Sequence, residues 1–163
     1  MNFTAKSRYA LKIMMDLADS QLIGKQQRSK IATRQGISVD FMDHIMAKLR
    51  SSQLIESTRG RFGGFELKQA PEEISLWDIF IAVEDNIYPV QCIEDHDACK
   101  FEASCISIDA WSDVFYSIKK ELTSKSLAHM VEKWQKKKVH LKITNQSSSQ
   151  ECKAPSKSNS ERG

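Results

Sequence analysis

Apolar residues recur every three or four positions near the start of the chain, which is the spacing that places side chains on one face of an α-helix. They are Tyr9, Ala10, Ile13, Met14 and Leu17. Thr4 precedes this stretch and is a good N-cap for a first helix. A second helix is predicted over 29–35 and ends at Gly36, and a third begins after Ser38. Two helices joined by a glycine turn are typical of a helix-turn-helix.

A short β-hairpin is predicted after the third helix. Segments 54–57 and 65–67 favour two strands, and the glycines between them permit positive φ angles and a tight turn. Arg59 and Arg61 then lie at the tip of the hairpin. The pattern therefore predicts a wing attached to the helix-turn-helix.

Further helices are predicted in the second half of the chain. Ser75 caps a helix with an apolar face, whereas the segment from about 86 to 105 shows no periodicity. A long helix follows, with apolar residues at alternating spacings of three and four, which favours packing on a partner helix. This dimerisation seam is Ile108, Trp111, Phe115, Ile118 and Leu122. The predicted fold class is mainly α, a winged helix-turn-helix with a small β-hairpin wing plus a long dimerisation helix.

Four regions follow from this pattern. We expect a winged helix-turn-helix DNA-binding domain over 1–85 and a cysteine sensor loop over 86–106. A dimerisation helix and a short C-terminal helix occupy 107–135, and the Lys-, Ser- and Asn-containing tail over 136–163 is predicted to be disordered.

The charge of the chain is unevenly distributed. The 163 residues carry a net charge of +3, but 1–69 holds 12 basic and 6 acidic residues, whereas 70–109 holds one basic and 10 acidic residues. A basic end beside an acidic middle suggests two roles, with a polyanion as one candidate partner. Neither a membrane span nor a secretory signal is expected, so we predict a cytoplasmic protein.

The basic end carries residue types that read double-stranded DNA. Ser38, Asp43 and His44 lie at exposed positions of the second helix of the motif, where they can hydrogen-bond to base edges in the major groove. Arg59 can enter an adjacent minor groove. Phosphate contacts are predicted for Lys6, Arg8, Arg28, Lys48, Arg50 and Arg61. An acidic residue repels phosphate, so Asp43 is a candidate for selectivity rather than affinity. The alternative is an ordinary set of solvated charges on a small helical domain.

The acidic middle contains three closely spaced cysteines, Cys92, Cys99 and Cys105. The tight pair with two to four intervening residues that structural zinc normally uses is absent from this triplet. Three soft thiolates in one irregular loop favour an iron–sulfur cluster, which needs four ligands, while a thiol switch and a zinc site remain alternatives. Cys152, in the tail, is interpreted as a bystander.

Taken together, the motifs resemble the IscR-like family of bacterial winged-helix iron–sulfur cluster transcription regulators, from the first helix to about residue 135. They are Ser7-Arg-Tyr-Ala, Arg34-Gln-Gly-Ile-Ser, Arg59-Gly-x-x-Gly-Gly-Phe and the cysteine triplet. The resemblance implies a homodimer joined through the long helix, promoter DNA as partner, and an iron–sulfur cluster as cofactor. It also implies that Ser38, Asp43, His44 and Arg59 contact DNA and that the three cysteines are cluster ligands.

The chain departs from this family at the fourth ligand. Similar two-iron members use a histidine three residues after the last cysteine, where this chain has Ile108. Other members use a carboxylate near the N-terminus of the partner subunit, where this chain has Ser7-Arg8. The fourth ligand is therefore open, with His96 as the nearest imidazole. Oxygen alternatives are Glu94, Asp95, Asp97 and Glu102.

The sequence does not favour an enzyme. Paired carboxylates, a nucleophile elbow and a phosphate-cradling loop are not evident, and Gly60, Gly63 and Gly64 lie between strands rather than at a strand-to-helix junction. Two other functions remain open. One is a clusterless thiol- or zinc-based redox-sensing repressor, and the other is a small metal-carrying or electron-transfer protein.

Overall fold

The computed structural model describes residues 1, 3–20, 24–60, 63–95, 99 and 105–150, with side chains described as far as residue 140. Their helices are α1 Ala5–Ser20, α2 Arg28–Gln35, α3 Val39–Ser51, α4 Leu76–Val83, α5 Ile106–Thr123 and α6 Leu127–Gln150. Two antiparallel strands, β1 Ile55–Thr58 and β2 Gly64–Leu67, and a 3-10 turn at Gln91–Ile93 complete the described elements. The chain divides into two units, Met1–Val131 and Glu132–Gly163. In the described part of the chain, no helix is long and apolar enough to cross a membrane.

The helix boundaries in the first half of the chain follow the predicted caps. The Thr4 hydroxyl accepts a hydrogen bond from the Lys6 backbone N–H at 3.0 Å, at the start of α1. Gly36 ends α2 in the left-handed conformation, with φ 63° and ψ 40°. The Ser38 hydroxyl accepts from the Phe41 backbone N–H at 3.2 Å and caps α3. The helix-turn-helix prediction is confirmed.

The core of the first unit lies where α1 and α3 meet the other elements. Most residues of the predicted inward faces of these two helices are at most 2% exposed: Ala10, Ile13, Met14 and Leu17 of α1 and Met42, Ile45, Met46 and Leu49 of α3. Tyr9, the first residue of the predicted α1 face, is only half-buried. Residues from α2, the strands, α4 and α6 complete this cluster, including Ile31, Ile55, Leu67, Ile79, Val83 and Leu127. Complete burial of a Leu, Ile or Met side chain stabilises the fold by roughly 1.5–3 kcal/mol, so this cluster is the main source of stability.

The wing is attached to the body of the domain by its second strand. β1 and β2 pair with Ile55 opposite Leu67. On its other side, Phe65 exchanges two backbone hydrogen bonds with Gln26, each 2.9 Å long. Gln26 lies in the connection between α1 and α2, so the hairpin is fastened to the helix-turn-helix itself.

The glycines of the wing serve two different purposes, which corrects the expectation that all of them supply positive φ. Gly60 has φ 108°, which favours glycine. A Cβ at Gly63 would lie 2.1 Å from the Thr58 carbonyl oxygen, and one at Gly64 would lie 2.7 Å from the Gln26 carbonyl oxygen. Gly63 and Gly64 are therefore required by close backbone approach.

The fourth helix begins with a complete capping box. The Ser75 hydroxyl accepts from the Asp78 backbone N–H at 3.1 Å, and the Asp78 carboxylate accepts from the Ser75 backbone N–H at 2.9 Å. The start of α6 is bound nearby, because the Leu127 backbone N–H donates to the Ile74 carbonyl at 2.8 Å. The start of α6 is thus held beside the start of α4.

The fifth helix differs from the predicted seam at its central residue. Phe115 is 3% exposed and packs inside its own chain, with its ring centroid 6.0 Å from that of Trp77 and 4.9 Å from that of Tyr88. Trp111 is 47% exposed, whereas three seam residues are half-buried: Ile108, Ile118 and Leu122. Phe115 therefore anchors α5 to α4 rather than facing a partner.

The sixth helix is longer than the sequence pattern predicted, because residues 136–150 of the expected disordered tail continue it. Lys136 forms an ion pair with Glu132 one turn earlier at 2.5 Å, and the Lys138 ammonium lies 3.1 Å from the Trp134 ring centroid. Straight-chain residues such as Lys and Gln favour helix, and pairs one turn apart add to this preference. Residues 151–163, including Cys152, lie outside the described residues.

Candidate nucleic-acid interface and cysteine segment

The third helix is buried along one side and open to solvent along the other. Ser38 and His44, two of the predicted base contacts, are exposed. The Ser38 oxygen accepts the capping bond from Phe41. A hydroxyl has one donor and two acceptor sites, so Ser38 can cap α3 and still donate a hydrogen bond to another group.

Two of the predicted DNA contacts are paired with each other. An Arg28 guanidinium nitrogen lies 2.7 Å from the Asp43 carboxylate, and the two side chains are 55% and 40% exposed. The pair joins the start of α2 to α3. It also offsets the negative charge of Asp43, which reduces the repulsion that this carboxylate would exert on phosphate.

Two further predicted phosphate contacts, Lys6 and Lys48, meet at one carboxylate. The Lys6 ammonium lies 3.3 Å from one Asp85 oxygen, and the Lys48 ammonium bonds the other oxygen. Lys48 also donates to the Val83 carbonyl at 3.1 Å. Hydrogen bonds from Lys48 and then from Lys6 hold the pKa of Asp85 below its ordinary value. Sequence reasoning missed Asp85, because an acid just after α4 carries no signal of a contact with α1 and α3.

The remaining predicted cations lie at several places around the motif. The Arg50 guanidinium donates to the Ser57 hydroxyl of the wing at 3.4 Å, and Arg59 is exposed at the end of β1. Arg8 is exposed on α1, with its guanidinium carbon 5.8 Å from the Tyr9 ring centroid. Arg61 lies outside the described residues.

A largely buried polar network positions the helix-turn-helix and was also missed by sequence reasoning. Arg34 binds Asp16 with two nitrogens, at 2.7 Å and 3.0 Å, and donates to the Gln26 side-chain oxygen at 3.0 Å. Asp16 is 5% exposed. The arginine of the Arg34-Gln-Gly-Ile-Ser motif therefore ties α2 to α1 and to the connection that holds the wing. An acidic residue one position before Leu17, on the apolar side of α1, was the available signal.

A second carboxylate fixes the start of α1 to the end of α4. One Glu84 oxygen accepts from the Thr4 hydroxyl at 2.6 Å, the Thr4 backbone N–H at 3.2 Å and the Ser7 backbone N–H at 3.3 Å. Partial burial acts to raise the pKa of Glu84, but hydrogen bonds from Thr4 and Ser7 outweigh it and hold the pKa below its ordinary value. Ser7 of the Ser7-Arg-Tyr-Ala motif is thus part of the cap of α1.

The three cysteines of the triplet are free and half-buried. Cys92 lies in the 3-10 turn, and Cys105 is the N-cap residue of α5. The Cys105 sulfur lies 3.1 Å from the Ser107 hydroxyl, and hydrogen bonding to Ser107 lowers the pKa of the Cys105 thiol. His96 lies outside the described residues. Among the residues that the structure does describe, no three His, Cys, Asp or Glu side chains are grouped so that they could hold a metal ion.

Comparison with known families identifies the class of protein. A family model described as "Rrf2: Iron-dependent Transcriptional regulator" matches residues 3–133. The chain belongs to the Rrf2 family. It is 31% identical over 134 residues to protein rrf2 of Nitratidesulfovibrio vulgaris, covering 80% of this chain and 87% of that protein.

Solved structures support the same fold for this Rrf2-family protein. IscR of T. potens matches with a TM-score of 0.67 and 29% identity over 82% of this chain and 88% of that one. CymR of B. subtilis, described as the global cysteine regulator, matches with a TM-score of 0.65 and 29% identity over 81% of this chain and 97% of that one. The chain is therefore a winged helix-turn-helix, DNA-binding transcription regulator. The names of its relatives imply a non-enzymatic role.

Proposed function

We propose that this Rrf2-family regulator is a cytoplasmic homodimer that binds promoter DNA, and that an iron–sulfur cluster held by Cys92, Cys99 and Cys105 controls its affinity. The observation that carries this proposal is the position of Cys105. Its thiol stands at the first turn of α5, the helix that packs on α4 and also presents apolar side chains to solvent. The description of the family as iron-dependent supports a metal-containing cofactor.

The three cysteine thiols are ligands of the type that such a cluster requires. Iron–sulfur clusters are held by cysteine thiolates, and the lowered pKa of Cys105 favours the thiolate form. Among the described residues no three donors are grouped in advance, and we propose that binding of the cluster itself assembles the ligand set. The fourth ligand stays open, with His96 as the candidate imidazole. When bound, the cluster supplies a covalent cross-link among these thiolates.

The residues around Cys105 connect the cysteine segment to the DNA-binding unit. A constraint on the Cys105 sulfur acts on the first turn of α5, and Phe115 transmits the position of α5 to Trp77 of α4. In a homodimer, the orientation of α5 would set the spacing of the two α3 helices, which has to match the half-sites of an operator. A difference of about 1–3 kcal/mol between two states is sufficient for regulation.

The exposed side of α5 supports the dimer. Ile106 is 91% exposed, Tyr116 57%, and Trp111 and Val114 each 47%. Several large apolar side chains exposed on one helix are costly in water and favour a surface that a second protein covers. We propose that a second copy of the chain covers it, with Trp111, Ile108, Ile118 and Leu122 at the contact.

The DNA contacts that we propose follow from the exposed side of the helix-turn-helix. Ser38 and His44 read the major groove, Asp43 discriminates between bases, and Arg59 enters the minor groove. Backbone phosphates are bound by Lys6, Arg8, Arg28, Lys48, Arg50 and Arg61.

The first test is the cofactor content of the protein purified without oxygen. The wild-type chain and the matched control Cys152→Ser should carry iron and sulfide and a visible cluster absorption band, whereas Cys92→Ser should lose them. DNA sites selected from a random library by the wild-type protein then provide the binding assay. Equal binding of every selected site by Cys92→Ser and by the cluster-loaded protein would refute cluster-controlled affinity.

A clusterless thiol sensor is the second candidate function. It is favoured by the lowered pKa of Cys105, which makes this thiol more reactive, and by the similarity to a structure described as a cysteine regulator. In this case the anaerobic preparation is colourless and free of iron. Oxidant then changes DNA affinity reversibly, and Cys105→Ser removes the change.

A further inference from the structure

The carboxylate of Asp85 connects three elements of the DNA-binding unit. One of its oxygens accepts a hydrogen bond from the ammonium group of Lys6, in the first turn of α1. The other accepts from the ammonium group of Lys48, in the last turn of α3. Asp85 itself follows α4 by two residues. Its side chain is 73% exposed, so that a competing anion can reach the two ammonium groups from solvent.

The two lysines also line a cleft. This cleft, of about 370 Å³, is bordered by Lys6, His44 and Lys48, with an apolar wall formed by Phe41, Ile45, Ala47 and Val83. Lysine ammonium groups bind phosphate as point charges, and two of them on one carboxylate leave a net positive charge at the rim. The cleft is on the same side of α3 as His44, a proposed base contact.

We propose that Asp85 is an internal competitor of DNA phosphate, which occupies Lys6 and Lys48 in the free protein and limits binding to non-cognate DNA. This inference rests on the proposed function, in which the exposed side of α3 faces DNA. Exposed ion pairs contribute little to stability, so a phosphate can displace the carboxylate at modest cost. Asp85 then repels the phosphates of a poorly fitted site, whereas a cognate site compensates through base contacts.

The ionisation of Asp85 is consistent with this role. Its two lysine partners lower its pKa, so the carboxylate is charged at neutral pH. The competition is therefore electrostatic and should weaken with ionic strength.

The test is the affinity of Asp85→Asn for a labelled 30-base-pair duplex of random sequence, measured over a series of salt concentrations. Removal of the charge should tighten binding about 3- to 10-fold at low salt, as expected for the loss of two exposed ion pairs. The slope of log affinity against log salt should steepen by up to about 0.9 for each lysine released to a phosphate. Glu72→Gln is the matched control, because it makes the same charge change in the exposed turn before α4.

A double-mutant cycle separates local competition from general charge effects. In a Lys6→Ala, Lys48→Ala background, the gain in affinity from Asp85→Asn should be clearly smaller than in the wild-type background, because only direct repulsion of phosphate is then relieved. A gain of undiminished size in this background, or an equal gain from Glu72→Gln, would overturn the inference. Thermal melts check that each variant is folded, and Asp85→Ser serves as the second variant should Asp85→Asn melt early.

The outcomes also distinguish this inference from the proposed function. If Lys48→Ala weakens DNA binding and Asp85→Asn leaves it unchanged, Asp85 is not a competitor of phosphate. The proposal that the exposed side of α3 faces DNA is then retained. If Lys6→Ala, Lys48→Ala and Arg59→Ala all bind DNA like the wild type, the proposed DNA-binding face is wrong and the role of Asp85 falls with it.

Discussion

At the scale of single residues, the position of the helix-turn-helix depends on a salt bridge whose two side chains differ in their exposure to solvent. The Asp16 side chain is 7% exposed, whereas that of Arg34 is 39% exposed. Removing the arginine would leave a nearly buried carboxylate without its counter-charge, which is more costly than losing an ordinary surface pair. The network also includes Gln26, which pairs with the wing, so its effects extend to two elements.

We therefore expect Arg34→Ala to lower the free energy of unfolding by about 2–3 kcal/mol. Arg34→Lys keeps the positive charge, so it should destabilise the fold less than Arg34→Ala. It should still be less stable than the wild type, because lysine cannot bind Asp16 with two parallel bonds. Urea unfolding followed by circular dichroism measures both. Equal stability of Arg34→Ala and wild type would show that the salt bridge does not position α2.

At the scale of elements, the position of the wing depends on its close backbone contact with the α1–α2 connection as much as on its turn. Phe65 exchanges hydrogen bonds with Gln26, and Gly64 gives the two backbones room to approach. The two-stranded hairpin is too small to be stable alone, since isolated hairpins are marginal in water. Its attachment to the α1–α2 connection therefore maintains the position of Arg59.

Gly64→Ala should separate the wing from Gln26, because a Cβ at 2.7 Å from the Gln26 carbonyl oxygen forces one backbone to move. We expect a loss of about 1–3 kcal/mol in stability and weaker DNA binding. Ser57→Ala, at an exposed position of β1, is the control; it removes only the 3.4 Å hydrogen bond from Arg50 and should change stability little. Amide hydrogen exchange at Phe65 reports the attachment directly, and unchanged protection in Gly64→Ala would contradict this account.

The contact between α1 and α4 has a predictable pH dependence. Because the pKa of Glu84 is lower in the folded chain than in the unfolded chain, its stabilisation is present above the unfolded pKa. That stabilisation is lost as the pH falls through the folded value.

Glu84→Gln tests this dependence. At pH 7 the variant should be roughly 0.5–1 kcal/mol less stable, a figure kept small because the group is partly screened by solvent. The difference should shrink as the pH falls below the ordinary glutamate value of 4.5. Urea unfolding at several pH values is the measurement, and a difference that is constant with pH would rule out the carboxylate cap.

At the scale of the whole molecule, the uneven charge corresponds to two different tasks. The basic residues of 1–69 surround the helix-turn-helix and wing, whereas the acidic middle contains Glu84 and Asp85 as well as the cysteine segment. The acidic middle is thus not separate from the DNA-binding unit. Glu84 supports α1, and Asp85 holds two of the proposed phosphate contacts.

Assembly of the molecule is tested on the exposed side of α5. Trp111→Glu should shift the protein from dimer to monomer, because the substitution places a charge in the proposed apolar contact. Ser117→Glu makes the same charge change at an exposed polar position of α5 and should remain dimeric. Sedimentation velocity distinguishes the two states. Dimers of unchanged stability in Trp111→Glu would place the interface elsewhere.

Much of the fold was predictable because its signals are local. The caps at Thr4, Gly36, Ser38 and Ser75 depend on neighbouring residues, and the buried stripes of α1 and α3 follow from helical periodicity. The extent of α6 is not predictable from the sequence, because a Lys- and Ser-containing composition is compatible with both a helix and a solvated tail. The role of Phe115 is not predictable either, because periodicity alone cannot tell whether an apolar residue packs within its own chain or on another.

The sequence by itself determined the winged helix-turn-helix, the resemblance to a family of transcription regulators, and the identity of the three thiols. Only the tertiary structure decided which charges meet. Asp85 lies 79 residues from Lys6 and 37 from Lys48, and no spacing rule connects them. Capping and amphipathic patterns act within a few residues and can be read along the chain. Ion pairs between distant residues exist because packing of the core brings their helices together, so they become visible only in the folded molecule.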